Sequence, residues 1–235
     1  MASALAARGL SGTFSYAGRV ESPKPQALPL RVGGFGGPAG LAAHIREAGI
    51  THVVDATHPF AAQMSRNAVD ACAETGVPLV ALTRAPWRPE AGDDWQHVPD
   101  IAGAVAALSG ERRRVFLAIG RMHLEDFAPR PQHFYLARLV DAPEGALPLP
   151  DCAVEVSRGP FTVEGDVALM QAHGIELVVS KNSGGSGARA KIDAARALGL
   201  PVLMIDRPAL PERAEVHEVQ GVIDWLAHTG TDLGV

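Results

Sequence analysis

The chain is poor in cysteine: Cys72 and Cys152 are the only two in 235 residues, and they form no CxxC pair. That argues against a disulfide framework and against a cysteine-rich zinc site. Nothing approaches the roughly 18 continuous apolar residues of a membrane span. The start has no charged segment leading into an apolar run, so no export signal is read and a soluble, cytoplasmic protein is expected. Positive charge is also in deficit, with 21 Lys and Arg against 26 Asp and Glu, a net charge of -5. A broad nucleic-acid surface is therefore not indicated. A small anionic ligand remains compatible, because a few local arginines suffice in a low-dielectric cleft. The histidines outside the motif at 55–61 (44, 52, 97, 123, 133, 173, 217 and 228) show no metal-ligand spacing. No Ser-His-Asp order, nucleophile elbow or paired-carboxylate motif stands out, which disfavours covalent hydrolysis.

What is present is a pattern that occurs twice. Residues 48–59 read AGITHVVDATHP and residues 173–184 read HGIELVVSKNSG. Each continues through an Ala-rich, helix-like segment to a second apolar run, GVPLVALTRAPW at 76–87 and GLPVLMIDRPAL at 199–210. An apolar run, a polar cluster, a helix, Gly-x-Pro and a second apolar run ending in Arg is the signature of a strand–helix–strand crossover, which requires parallel pairing. Two such units predict an α/β fold of two Rossmann-like lobes with parallel sheets and a cleft between them, where ligands favour binding. We place the lobes at 1–112, for the cofactor, and 113–235, contributing to the substrate site.

Along the first lobe the reading is helix (ASALAARG), strand (13–18), strand (30–33), helix, strand (THVVDA), a helix from about Phe60 to Glu74, and strand (PLVALTR). This resembles one dinucleotide-binding half, which should open with a strand and a glycine turn before its first helix. We therefore expect such a piece upstream of Met1. Residues 85–100 read as a connector with few apolar residues. Strands VFLAIG, FYLARLV and CAVEVS follow, then a helix containing LMQAHG, the second repeat, and a tail with a short strand and a last helix.

Two glycine-rich turns open helices. Gly34-Phe35-Gly36 with Ala39, and Gly185-Ser186-Gly187 with Ala190, both fit G-x-G-x-x-A. Backbone amides at such a helix start suit a pyrophosphate or carboxylate, though a tight strand-to-helix turn has the same sequence. Arg19 stands where a dinucleotide fold meets the adenosine ribose, and an Arg there accommodates the 2′-phosphate of NADP. It reads equally as a solvated surface group. Thr57, His58 and Pro59 follow a strand end; His58 is a candidate proton donor or nicotinamide contact, and Thr57 or His58 a candidate helix cap. Lys181, Asn182 and Ser183 hold the matching position in the second repeat, with Lys191 in the next helix. Arg84, Arg121, Arg138, Lys181 and Arg207 all fall near predicted strand ends, as carboxylate partners or as members of surface ion pairs. Trp87 and Trp95 suit stacking on a flat ligand or core packing.

The set SYAGR (15–19), RVGGFGG (31–37), DATHPFA (55–61), GR (120–121), GPF (159–161), VSKNSGG (179–185) and DRP (206–208) resembles the precorrin-6A reductases of cobalamin biosynthesis and their cobalt-precorrin counterparts. The resemblance implies an NADPH-dependent oxidoreductase that delivers a hydride to one double bond of a carboxylated tetrapyrrole, metal-free or cobalt-bearing. Arg19, Gly34, Phe35, Gly36, Gly37, Thr57, His58 and Pro59 would hold NADPH. Arg84, Trp87, Arg121, Arg138, Lys181, Asn182, Ser183 and Lys191 would meet the macrocycle. Lys181 would also stabilise charge during reduction, with His58 as a donor. No metal site is implied, and transient handover to neighbouring pathway enzymes is expected. Two other readings remain open: a non-catalytic binder of an anionic tetrapyrrole, and an NADP-dependent reductase of a smaller substrate.

Overall fold

The computed structural model describes residues 1–17 and 25–229. Arg19 lies outside the described residues. The chain divides into two compact units, residues 1–84 with 209–235, and residues 85–208.

The first unit opens with α1 (Ala2–Ala6), followed by β1 (Phe14–Tyr16) paired in parallel with β2 (Leu30–Val32). Then come α2 (Gly37–Glu47), β3 (Val53–Asp55), α3 (Ala62–Thr75) and β4 (Leu79–Leu82). The tail returns β11 (Ala214–Val216) and α7 (Val219–Thr229). β3 and β11 flank β4, all parallel. Helices α2 and α3 pack through Leu41, Ala42 and Ile45 against Ala68, Ala71 and Cys72, the apolar stripes that their helical spacing places on one face each. Helix α3 stops at Gly76, whose φ of 71° is the left-handed conformation that glycine adopts without strain.

The second unit contains β5 (Trp95–Val98), α4 (Ile101–Ala107), β6 (Arg114–Ala118), β7 (Phe134–Leu139) and β8 (Cys152–Val156). It continues with α5 (Val163–Ala172), β9 (Leu177–Lys181), α6 (Ala190–Leu198) and β10 (Val202–Ile205). The six strands form one all-parallel sheet in the order β5-β10-β9-β6-β7-β8. Its central strands are continuous apolar runs, because both faces are covered: Val115–Leu117, Leu177–Val179 and Val202–Ile205 are all buried. The two sequence repeats are thus two parallel crossovers, β3–α3–β4 and β9–α6–β10, one in each unit.

The compact units do not follow the boundary expected at 112/113. The segment 85–100 is more than a connector: Trp95–Val98 pairs with β10 as an edge strand, and Asp100 caps α4 by accepting from Gly103 N at 2.8 Å. The tail, expected with the second lobe, places β11 beside β4 of the first unit. Helix α3 begins at Ala62 rather than Phe60, and no side chain caps it.

Candidate functional site

The turn between β2 and α2 is built around Arg31. Its guanidinium donates to Gly33 O (2.6 Å) and Gly34 O (2.9 Å) and lies 3.9 Å from the centroid of the Phe35 ring. The chain then turns through Gly36 and Gly37, at φ of 80° and 87°, into α2. A Cβ added at Gly33, Gly34, Gly36 or Gly37 would meet nothing within 4 Å, so the turn offers open backbone to a ligand. At Gly40 the opposite holds: a Cβ there would sit 1.7 Å from Phe35 O. Glycine at that point lets the first turn of α2 pack on the loop. An open, glycine-lined helix start carrying an arginine is a suitable seat for a phosphate. Arg31 opens the RVGGFGG motif and stands outside the expected site residues, although its side chain organises the turn.

At the end of β3, Asp55 is buried and its carboxylate is fully engaged. One oxygen accepts from Thr57 N (3.0 Å) and Thr57 Oγ1 (2.6 Å), the other from Ser65 Oγ (2.6 Å) and Arg213 Nη1 (2.6 Å). Thr57 therefore clasps the turn rather than capping α3. That clasp leaves Pro59 buried and His58 exposed. The His58 Nδ1 accepts from Phe60 N at 3.2 Å, which puts the proton of the neutral ring on Nε2.

In the second unit Arg121, Lys181, Asn182 and Ser183 lie at or just beyond the carboxyl ends of β6 and β9. From β6 the sheet grows outward through β7 to β8, then crosses back to grow the other way through β9 and β10. The carboxyl ends of β6 and β9 therefore border the topological switch point, where ligands bind in open parallel sheets. Ala118 is paired with Ser180, so Lys181 and the turn Ile119-Gly120-Arg121 leave the sheet side by side. Arg121 is exposed, and Lys181 is half-buried. Burial pushes the Lys181 ammonium below its usual range, and the Asp126 carboxylate works against that shift.

Beyond Lys181 the turn is held rigidly. Arg207 donates to Asn182 O (2.9 Å) and Ser183 O (3.2 Å). Asn182 accepts from Trp87 N (2.8 Å) and donates to Trp87 O (3.0 Å), and the Trp87 indole donates to Gly185 O (2.7 Å). Gly184 has φ of 68°, and a Cβ there would lie 2.1 Å from Ala85 O.

Four residues expected to meet the macrocycle are committed inside this unit. Trp87 belongs to the core, and Asn182 is its backbone clamp. Lys191 is buried, donating to Ala188 O (2.6 Å) and lying 5.0 Å from the centroid of the Trp87 ring. Arg138 is paired with Asp166 in the interior and lies between the Phe116 and Phe161 rings, because β7 points its side chain beneath α5. Arg84 is exposed at the end of β4, and Ser183 is half-buried, its Oγ 3.4 Å from Lys181 O. No helix among the described residues is long and apolar enough to cross a membrane.

A parallel sheet with cations at its switch point, carried in one chain with a glycine-turned helix start, is the arrangement of an α/β protein with positive charge and open backbone at its strand ends. The family model described as "Precorrin-6x reductase CbiJ/CobK" matches residues 1–227, and the chain belongs to that family. It is accordingly an oxidoreductase. It is 58% identical to the precorrin-6A reductase of Rhodobacter capsulatus, over 100% of this chain and 94% of that protein. It is 46% identical to the precorrin-6A reductase of Rhodococcus erythropolis, over 93% and 88%. A solved structure of CobK precorrin-6A reductase superposes with a TM-score of 0.92 at 59% identity, covering 97% of this chain and 91% of that one.

Proposed function

We propose that this chain reduces one double bond of the precorrin-6A macrocycle by hydride transfer from NADPH, giving precorrin-6B in cobalamin biosynthesis. The observations that carry the reading are an open glycine turn in the first unit and, independently, exposed and half-buried cations at the switch point of the second unit's own sheet. The family membership supplies the reaction class.

The glycine turn fits the cofactor. Gly34, Gly36 and Gly37 leave backbone open to a pyrophosphate, and Arg31 sets positive charge beside it. Arg19 remains the group proposed for the 2′-phosphate. Bound there, NADPH supplies the hydride, and the protein's task is to hold donor and acceptor carbons at near-attack distance. His58 presents an Nε2–H suited to a carboxamide or carbonyl oxygen. Arg84, Arg121, Lys181 and Ser183, at or just beyond the strand ends, are the residues proposed to engage peripheral carboxylates of the substrate. Charge-assisted pairs of this kind contribute about 1.5–3 kcal/mol each, so a few suffice to orient a large planar ligand.

The test is a fluorescence titration with NADPH and NADH, followed by the same titrations on Lys181→Ala. Selective NADPH binding that survives the substitution, together with weakened macrocycle binding, is the expected result. Equal losses for both ligands would remove Lys181 from the substrate site, and no preference for NADPH would remove that cofactor from the reading.

A further inference from the structure

A carboxylated macrocycle offers a protein two surfaces, a charged periphery and a broad planar face, and cations at a switch point answer only the first. The same edge of the second unit also carries apolar groups. Met122 and Val140 are the two most exposed large apolar side chains among the described residues, at 67% and 60%. Both stand just past the carboxyl ends of paired strands: Met122 follows β6, which ends at Ala118, and Val140 follows β7, which ends at Leu139. Val156, 48% exposed, is the last residue of β8 and pairs with Leu139. The three side chains thus mark the ends of successive strands in the sheet, a width of about 10 Å at ordinary strand spacing.

The segments that carry these groups are pinned by the core. Beyond β6 the chain folds into two short 3-10 turns, Arg121–His123 and Glu125–Phe127, anchored by the buried Leu124 and Phe127. His123 Nδ1 lies 3.0 Å from the Asp126 carboxylate, and the Tyr135 hydroxyl donates to Arg130 O at 2.9 Å. Val140 follows the buried Leu139, whose carbonyl accepts from Ser157 N at 2.9 Å. Positive charge stands at one end of the row, with Arg121 just before Met122 and Lys181 ending β9 on the other side of β6. The Asp141 carboxylate beside Val140 is taken up by Arg158, which also donates to Val140 O at 3.4 Å. A single apolar side chain on a surface needs no explanation, but a group of them on adjacent strands, rimmed by charge, marks a binding surface.

We propose that Met122, Val140 and Val156 form an apolar platform for the planar face of the macrocycle, with Arg121 and Lys181 taking carboxylates at its β9 end. This rests on the reading above of the substrate as a carboxylated tetrapyrrole. Apolar side chains with cations at one end match a flat, largely apolar ring system that carries acids on its rim. The Met122 thioether is flexible and polarisable, which lets it follow a conjugated surface. Contact made equally to substrate and transition state lowers KM without raising kcat, so the platform acts on affinity.

The experiment compares wild type, Met122→Ala, Met122→Leu and the double variant Met122→Ala/Val140→Ala. Precorrin-6A binding is read directly by quenching of tryptophan fluorescence, beside kcat, KM, NADPH affinity and melting temperature. The dissociation constant and KM for precorrin-6A should rise about tenfold in Met122→Ala, the loss expected when most of a large apolar side chain is withdrawn from a contact. They should rise further in the double variant, while kcat and NADPH affinity change far less. Melting temperature should hold, because both side chains are exposed, and Met122→Leu should keep most of the affinity. Unchanged precorrin-6A binding in the double variant would overturn the platform. So would a fall in kcat at constant KM, or a loss of affinity matched by a loss of melting temperature. A wild type that binds both ligands yet never oxidises NADPH would sink the reductase reading, while the fluorescence titration would still decide the platform. A wild type that binds no precorrin-6A would sink both.

Discussion

The Asp55 carboxylate shows how one residue organises a whole strand end. It is buried, as is the Arg213 guanidinium facing it, and the pair is closed by the hydroxyls of Thr57 and Ser65. Removing the Asp55 charge leaves the buried Arg213 with only the more exposed Glu215 carboxylate, 3.2 Å from its Nε, and breaking a buried pair in this way costs up to about 3–5 kcal/mol. Asp55→Asn keeps the shape but loses the charge and turns an amide toward donors that need an acceptor. It is expected to destabilise the first unit by an amount in that range, read by urea unfolding at neutral pH. A loss below about 1 kcal/mol would mean that solvent reaches Arg213 more freely than its 6% side-chain exposure indicates. The sequence marks Asp55 clearly, at the end of an apolar run. Arg213 is invisible from there, since the contact joins residues at opposite ends of the chain.

At the scale of elements, the loop before β5 is bound to α6 by ion pairs. Arg196 forks onto Asp93 through Nε (2.8 Å) and Nη2 (3.1 Å), and Arg189 reaches Glu90 and Asp193. Burial alone would raise the Asp93 carboxyl, but the hydrogen bond and charge of Arg196 outweigh it and hold the group below its usual range. A carboxyl whose folded value is depressed stabilises the fold above its unfolded value of about 3.9, and that contribution is lost as pH falls through the folded value. Asp93→Asn should therefore melt below wild type near pH 7, by a margin that holds down to about pH 5. The margin should close as the pH is taken toward 3. A margin independent of pH would show that shape, not charge, carries the contact. This network also explains what was legible. The crossovers β3–α3–β4 and β9–α6–β10 repeat an apolar period and end in polar clusters, so both could be read locally. The edge strand Trp95–Val98 has only four residues, and its partner β10 lies far along the chain, so nothing local marks it as a strand. The candidate site divides the same way. Lys181 and the glycine turn announce themselves at strand ends, whereas the Asp166 that occupies Arg138 and the Asp126 that acts on Lys181 are brought near only by folding.

Across the molecule, the two units differ in how the chain builds them. The second is one continuous stretch holding all six strands of its sheet, whereas the first is completed only when β11 pairs with β4. Closing that contact requires ordering the chain around everything between Val80 and Ala214, an entropic cost that a local hairpin avoids. The first unit is thus expected to form later in refolding, and to depend on residues after Pro208 for more than one reason. Ending the chain at Pro208 removes a strand that pairs with β4, the helix that follows it and the guanidinium that neutralises Asp55. The expected result is a chain that keeps one cooperative melting transition, that of the second unit, and loses that of the first. NADPH binding should disappear with the lost transition, because the turn Gly33–Gly37 is carried by the first unit. The check is differential scanning calorimetry of both chains alongside a cofactor titration. Retention of NADPH binding by the shortened chain would place the cofactor's main contacts in the sheet of residues 85–208, and would move the glycine turn at Gly185–Gly187 to the front of the search.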